Sequence, residues 1–302
     1  MREQLLGKTP VELKDIAVKV GLPAFTGKQI AQWMYGRKVR SIDEMTNISK
    51  AVRERLKEEY SLGVTLPSTC HVASDGTKKY IFPGGEGNAV EAVMIPDEDR
   101  KTLCVSSQAG CRMGCKFCMT GRQGFHGNLT VADILSQFIA IDEAAELTNA
   151  VFMGMGEPLD NFGNVMRAIE VLTSDWGFGW SPKRVTLSTI GVLPNLRKYL
   201  ESTRCHLAVS LHNPFPDERA EMMPVQKAWP VQEVIDMIRE YDFTGQRRVS
   251  FEYTMFAGLN DDKRHADALI RLLRGLECRV NLIRFHKIPD APFETTPQII
   301  ME

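Results

Sequence analysis

Three cysteines within eight residues, Cys111, Cys115 and Cys118, are the side chains whose type and spacing most directly suggest chemistry. Thiolates are soft ligands, suited to iron–sulfur clusters or to zinc. A closed zinc site needs a fourth ligand, and His126 stands near enough in sequence to supply one. Three thiolates on a four-iron cluster instead leave one iron open, and an open iron can bind a substrate. Gly110 and Gly114 suit a loop that wraps closely around a cubane, and Phe117 would place an apolar wall before the last cysteine. The other four cysteines, Cys70, Cys104, Cys205 and Cys278, are scattered, and the chain has no secretory features that would argue for disulfides.

The elements that would position these groups follow from periodicity. Six short apolar or β-branched runs begin near Thr102, Ala150, Arg184, His206, Arg248 and Val280, with amphipathic segments between them. The clearest segment carries Val131, Ile134, Leu135, Phe138 and Ile141 at helical spacing, opened by a cap-like Thr130 and Asp133. Strands alternating with helices predict a parallel β/α architecture, here a partial (β/α)6 barrel of the α/β class. Polar residues collect after successive strands: the cysteine triplet, then Gly154 to Pro158, Ser188-Thr189, Ser210 to Asn213, Glu252 to Thr254, and Arg284 to His286. The C-terminal rim of such a barrel is where active sites are built.

Residues 1–65 read as a small helical accessory domain, with Thr26 and Ser49 as expected caps. Residues 66–100 read as a β connector holding strands at Lys79–Phe82 and Ala89–Ile95, and 101–302 as the barrel. The chain has 302 residues, with 37 basic against 38 acidic side chains and a net charge of −1. Such a balance gives no general support for gripping nucleic acid, so RNA contact would need a local patch. The best sequence candidate is Gly36 to Arg40, which a solvated helix end would explain equally well. No apolar run reaches the roughly 18 residues of a membrane span, and the N-terminus lacks a signal-peptide pattern. A cytoplasmic protein without a membrane partner is expected.

The C-x3-C-x2-C triplet after a strand resembles that of the radical S-adenosylmethionine superfamily, and Gly154 to Pro158 resembles its glycine-rich cofactor segment. Further stretches resemble the RlmN/Cfr family of RNA adenine methyltransferases. They are Trp33-Met34-Tyr35, Val90 to Pro96, Thr102 to Gln108, Met153 to Leu159, Val185 to Thr189, Ala208 to Asn213 and Val280 to Ile283. The resemblance implies a [4Fe-4S] cluster on Cys111, Cys115 and Cys118. It implies S-adenosylmethionine bound by Gly156, Glu157, Ser188, Ser210, Leu211 and His212, with Glu91 as proton acceptor. Cys104 matches the cysteine that resolves a protein–RNA crosslink through a transient disulfide. By itself a cysteine in an apolar strand is more often a core thiol. The implied substrates are 23S rRNA and also tRNA, and the implied electron donor is a protein such as flavodoxin or ferredoxin.

In the family's route one S-adenosylmethionine methylates a cysteine and a second generates the radical that moves this carbon to an adenine C2 or C8. The N-terminal segment with Lys28-Gln29-Ile30 looks more like the C2-methylating RlmN branch than the C8-methylating Cfr branch. Two features depart from the pattern. Phe285-His286-Lys287 replaces a segment like W/F-N-P, so His286 takes the place of a cofactor-contacting asparagine. The methyl-carrying cysteine belongs to a segment like A-A-C-G, and no such segment occurs before Glu302; residues 1–302 alone are therefore expected to bind cofactor without methylating RNA. A glycyl-radical activase would share the triplet but not the Glu91 and Cys104 contexts, and a zinc-stabilised RNA-binding module is the non-enzymatic reading.

Overall fold

The computed structural model describes all residues except Met1, Glu86, Thr244 and Gln246. The N-terminal segment forms three helices, α1 (Pro10–Lys19), α2 (Thr26–Ala31) and α3 (Lys50–Glu59). Thr9 caps α1 reciprocally with Glu12. The two caps expected from sequence act differently: Thr26 is already inside α2, and Ser49 sits at the start of α3 without a side-chain capping bond. After Ala31 the chain widens into a π turn over Gln32–Gly36. A wider turn narrows the angle between successive side chains, so Trp33, Met34 and Tyr35 can all enter the core. Tyr35 closes this unit, donating to the Lys8 carbonyl at 2.7 Å and accepting from the Gly7 amide at 3.1 Å.

A nine-stranded sheet forms the rest of the scaffold. Its first strands are β1 (Thr69–Val72), β2 (Lys78–Pro83), β3 (Ala89–Asp97) and β4 (Arg100–Cys104), joined antiparallel in order. From β4 onward every pairing is parallel, through β5 (Asn149–Phe152), β6 (Val185–Thr189), β7 (His206–Ser210), β8 (Val249–Met255) and β9 (Arg279–Arg284). These are the six parallel strands expected from sequence, and the strands read as a connector extend the same sheet. Between them run α4 (Val131–Ile139), α5 (Phe162–Thr173), α6 (Leu193–Ser202), α7 (Pro216–Met222), α8 (Val231–Arg239) and α9 (Lys263–Leu273). Thr130 and Asp133 form the expected capping box at α4, which turns Ile134, Leu135 and Phe138 inward.

Of the three cations in residues 37–40, Arg37 is exposed over the Trp33 ring and the other two are engaged at a seam. Lys38 donates to the Ala144 carbonyl and lies over the Phe178 ring; Arg40 donates to the Ile141 carbonyl at 3.0 Å. Both acceptors belong to the turn after α4, whose carbonyls have no helical partner and attract cations. With the Thr65 amide bonded to Ser136 Oγ at 2.9 Å and Tyr35 edge-on to Trp176, these contacts fasten the N-terminal helices to the sheet-bearing part. Among the described residues no helix is long and apolar enough to cross a membrane.

Candidate active site

The cysteine loop leaves β4 and is held at its base by antiparallel pairing of Gln108–Gly110 with Phe125–Asn128. Gly110 has φ +70°, and a Cβ there would lie 1.9 Å from the Gly124 carbonyl oxygen, so only glycine fits. The loop is also fastened from outside, by a bond from the Lys116 amide to the Met222 carbonyl at 3.0 Å. Phe117 packs at 4.9 Å edge-on to His212 and at 5.4 Å against Phe256, which anchors the segment between the last two cysteines.

Cys111, Cys115 and Cys118 line one cavity of about 230 Å3, together with Gly156, Glu157, Ser188, Ser210 and His212. Burial pushes the Cys111 thiol up to about 11 and Cys115 to about 12, and the neighbouring thiols add to the effect. Among the described residues no three His, Cys, Asp or Glu side chains converge on a single metal-ion position. His126 does not complete a zinc site: its Nε2 lies 3.1 Å from the Gln123 carbonyl, and its ring lines a different cavity. Three thiols spread around a cavity that also collects polar strand ends fit a multi-iron cluster with a chelating ligand better than one closed ion.

The wall opposite the loop is the segment after β5. Gly156 has φ +99°, and a Cβ there would stand 2.5 Å from Gln108 Cβ. Gln108 positions this wall: its Oε1 accepts from the Glu157 amide at 2.9 Å while its Nε2 donates to Asn128 and Asp160. Glu157 is buried, accepting from Thr189 Oγ1 at 2.7 Å, the Ile190 amide at 2.9 Å and the Leu159 amide at 3.0 Å. Burial pushes its carboxyl up to about 7 against those three donors. The carboxylate thus braces β6 against the glycine segment as well as lining the cavity.

His212 is buried with φ 57°, and its Nδ1 accepts from the Thr254 amide at 3.0 Å, which leaves Nε2 to carry the proton. Burial and then the nearby Arg219 lower its pKa to about 3, so the ring is neutral. Leu211 is fully buried and does not line the cavity; its amide bonds the Glu252 carbonyl at 3.1 Å. His286 is also outside the cavity, exposed beyond the end of β9. The preceding Phe285 turns inward against Phe256, so the next side chain points away, and β9 contributes Ile283 instead.

Glu252 is a lining carboxylate that sequence reading noted at a strand end but did not select. Burial pushes its carboxyl up, while Asn281 Nδ2 at 2.9 Å and Ser250 Oγ at 3.1 Å both donate to Oε1. A carboxylate inside an otherwise apolar strand, Phe251-Glu252-Tyr253, was the available signal.

Glu91 lies elsewhere, on the wall of a second cavity of about 690 Å3 that also takes in Ile81, Gly110, His126 and Met155. Its carboxylate pairs with Lys79 at 3.2 Å. Met155 lines this cavity and its neighbours Gly154 and Gly156 line the first, so one short segment divides the two. Cys104 lines neither, and burial pushes its thiol up to about 11. Its register partner on β3 is Val93, two residues from Glu91, so Cys104 and Glu91 share a sheet face.

Six parallel strands carrying a three-cysteine loop after the first define the radical SAM class, and the Radical SAM superfamily model matches residues 105–269. The model described as ribosomal RNA large subunit methyltransferase N-terminal domain matches residues 3–62. A probable dual-specificity RNA methyltransferase RlmN from Porphyromonas gingivalis is 58% identical over 99% of this chain and 87% of its own length. The dual-specificity RNA methyltransferase RlmN of Syntrophus aciditrophicus is 40% identical over 94% of this chain and 83% of its own. The crystal structure of a radical SAM methyltransferase from Sphaerobacter thermophilus superposes with a TM-score of 0.93 at 36% identity, covering 99% of this chain and 90% of that one. The chain belongs to the RlmN family of radical SAM proteins.

Proposed function

We propose that the protein is a radical S-adenosylmethionine methyltransferase acting on C2 of an adenine in 23S rRNA and in tRNA. What carries the reading is the single cavity that gathers Cys111, Cys115 and Cys118 with Gly156, Glu157, Ser188, Ser210 and His212. The three cysteines would hold a [4Fe-4S] cluster, which when bound supplies one electron to the sulfonium of S-adenosylmethionine. That electron would come from a donor protein such as flavodoxin or ferredoxin. Gly156 lets the ligand approach the backbone, Ser188 and Ser210 offer hydroxyls, and His212 offers a neutral Nε2–H. Glu157 and Glu252 supply carboxylate oxygens for the cationic end of the ligand.

The second cavity is the proposed seat of the base. Its volume lies in the usual range for small-ligand sites, about 300–1,000 Å3, and Glu91 on its wall is the proposed proton acceptor. Cys104, on the same sheet face, is proposed as the thiol whose deprotonated sulfur attacks the sulfur of the methyl-carrying cysteine. An S–S bond forms, the C–S bond to the base breaks, and the carbon keeps the electron pair and takes a proton to become the product's methyl group. A thiol pushed up to about 11 is protonated at rest, so Cys104 must pass its proton on before it attacks. Residues 1–65 are proposed as the accessory unit that meets RNA.

The test is an anaerobic assay of the protein as its gene encodes it, on unmodified 23S rRNA and tRNA, read by mass spectrometry of the adenosines. 2-Methyladenosine in both RNAs is the expected product. 8-Methyladenosine would move the protein to the Cfr branch, and about one zinc per chain without iron would remove the cluster.

A further inference from the structure

Beneath the cysteine loop lies a buried cation whose hydrogen-bond partners are all neutral. Arg219, on α7, is fully buried. Its Nε donates to the Leu211 carbonyl at 3.0 Å, Nη2 to the Ser210 carbonyl at 2.9 Å and Nη1 to Gln226 Oε1 at 2.5 Å. Among the described residues no carboxylate forms an ion pair with it, and the ionisable group whose negative form would favour its charge is Cys115. Burial lowers its pKa to about 10, which still leaves it charged at neutral pH. A guanidinium stripped of water and given no counter-charge is costly to keep.

Its position shows where a counter-charge would fall. Ser210 ends β7 at the cavity and Leu211 follows it, and Arg219 holds both of their carbonyls. The cysteine loop is fastened to the same helix through Lys116 and Met222, and Met223 just beyond that helix lines the cavity. Arg219 itself does not line it.

We propose that Arg219 is the built-in counter-charge of the cluster that Cys111, Cys115 and Cys118 would hold, and that it raises the reduction potential of that cluster. This rests on the reading above that the three cysteines bind four iron atoms. Three thiolates make such a site anionic, and taking up one electron makes it more so. A cation fixed in a low-dielectric surrounding therefore favours the reduced form over the oxidised one. Arg219 is a positioning and tuning residue, separated from the ligand by the strand end it grips.

The experiment is an EPR-monitored dithionite titration of the anaerobically reconstituted protein without RNA. Wild type is compared with Arg219→Met, Arg219→Lys and Gln226→Glu. The last variant leaves the arginine in place and sets a carboxylate of the same shape against it, where Gln226 Oε1 also accepts from the Val231 amide at 3.1 Å. The midpoint should fall in Arg219→Met and Gln226→Glu by a roughly tenfold shift in the reduction equilibrium, about 59 mV for one electron, while Arg219→Lys stays close to wild type. Loss of the cluster from both neutralised variants but not from Arg219→Lys would also support the proposal. An unchanged midpoint in loaded Gln226→Glu overturns it, as does an equal shift or equal loss in all three variants. A wild-type protein that takes up no iron and sulfide would instead defeat the cluster reading itself.

Discussion

At the scale of single residues, the cavity separates ligands from supports. Cys115→Ala should abolish the cluster in reconstituted protein, because two thiolates cannot hold a four-iron cubane in the arrangement proposed. Iron and sulfide analysis with the brown absorption checks this, and a variant keeping the full cluster would sink the assignment. Glu157 serves two roles. Replacing it by Ala removes the acceptor of the Thr189 hydroxyl and of two buried amides as well as a carboxylate facing the ligand. Losing a charge-assisted hydrogen bond should weaken S-adenosylmethionine binding by about 1.5–3 kcal/mol, roughly ten- to hundred-fold. Calorimetry on cluster-loaded protein reads the affinity, and an unchanged value would confine Glu157 to bracing β6.

At the scale of elements, backbone geometry decides what the site tolerates. Gly156→Ala would force a Cβ into Gln108 at a φ of +99°, in the segment dividing the two cavities. We expect a loss of about 1–3 kcal/mol in urea unfolding, and a loss below 0.5 kcal/mol would mean that the segment relaxes freely. The turn after α4 provides a pH-dependent clamp on β2. Burial raises the pKa of Glu143, but bonds from Lys78 at 2.5 Å and Tyr80 at 2.7 Å outweigh it and hold the carboxyl below its ordinary 4.5. A carboxyl depressed by folding stabilises above its unfolded pKa, and that contribution is lost as pH falls through the folded value. Urea midpoints between pH 6 and pH 3 should therefore fall more steeply for wild type than for Glu143→Gln, and parallel curves would count against the clamp.

The same elements show what sequence could and could not convey. The six parallel strands were legible because each holds an apolar or β-branched run. Strands β5 to β8 bury that run, while β9 is exposed along its whole length and was legible from Val280, Leu282 and Ile283 alone. Thr130 and Asp133 marked α4 because a capping box is local chemistry. Strand β1 gives no sequence signal because Thr69-Cys70-His71-Val72 carries no apolar run and its pairing is dictated by β2. The cysteine triplet and the strand-end residues of the cavity were legible from type and spacing. The roles of those strand-end residues as cofactor contacts, like those of Leu211 and His286, came from the resemblance, and the inward turn of Phe285 places His286 outside the cavity. Arg219 gave no signal because its meaning lies in having no carboxylate partner among the described residues, which a sequence does not display.

At the scale of the whole molecule, a chain with a net charge of −1 has to place its cations deliberately. Lys38 and Arg40 looked like phosphate contacts, yet both spend hydrogen bonds on carbonyls after α4, at the seam between the N-terminal helices and the sheet. Lys38 is half-buried and Arg40 exposed, but each ties its own segment to a carbonyl across the seam, and removing both takes away those two ties. The double variant Lys38→Ala, Arg40→Ala should therefore loosen the seam while leaving the cavity intact. Hydrogen exchange should rise several-fold in residues 26–45 and 140–147, while iron content and S-adenosylmethionine affinity stay at wild-type values. RNA affinity would then fall only as far as the N-terminal helices lose their orientation, and the salt dependence of binding would keep its slope. A phosphate contact predicts the opposite pattern: unchanged exchange, with a slope shallower by about 0.9 per lost contact on a duplex. Observing that second pattern would return residues 37–40 to the RNA-facing surface and leave the seam to Tyr35, Trp176 and Thr65.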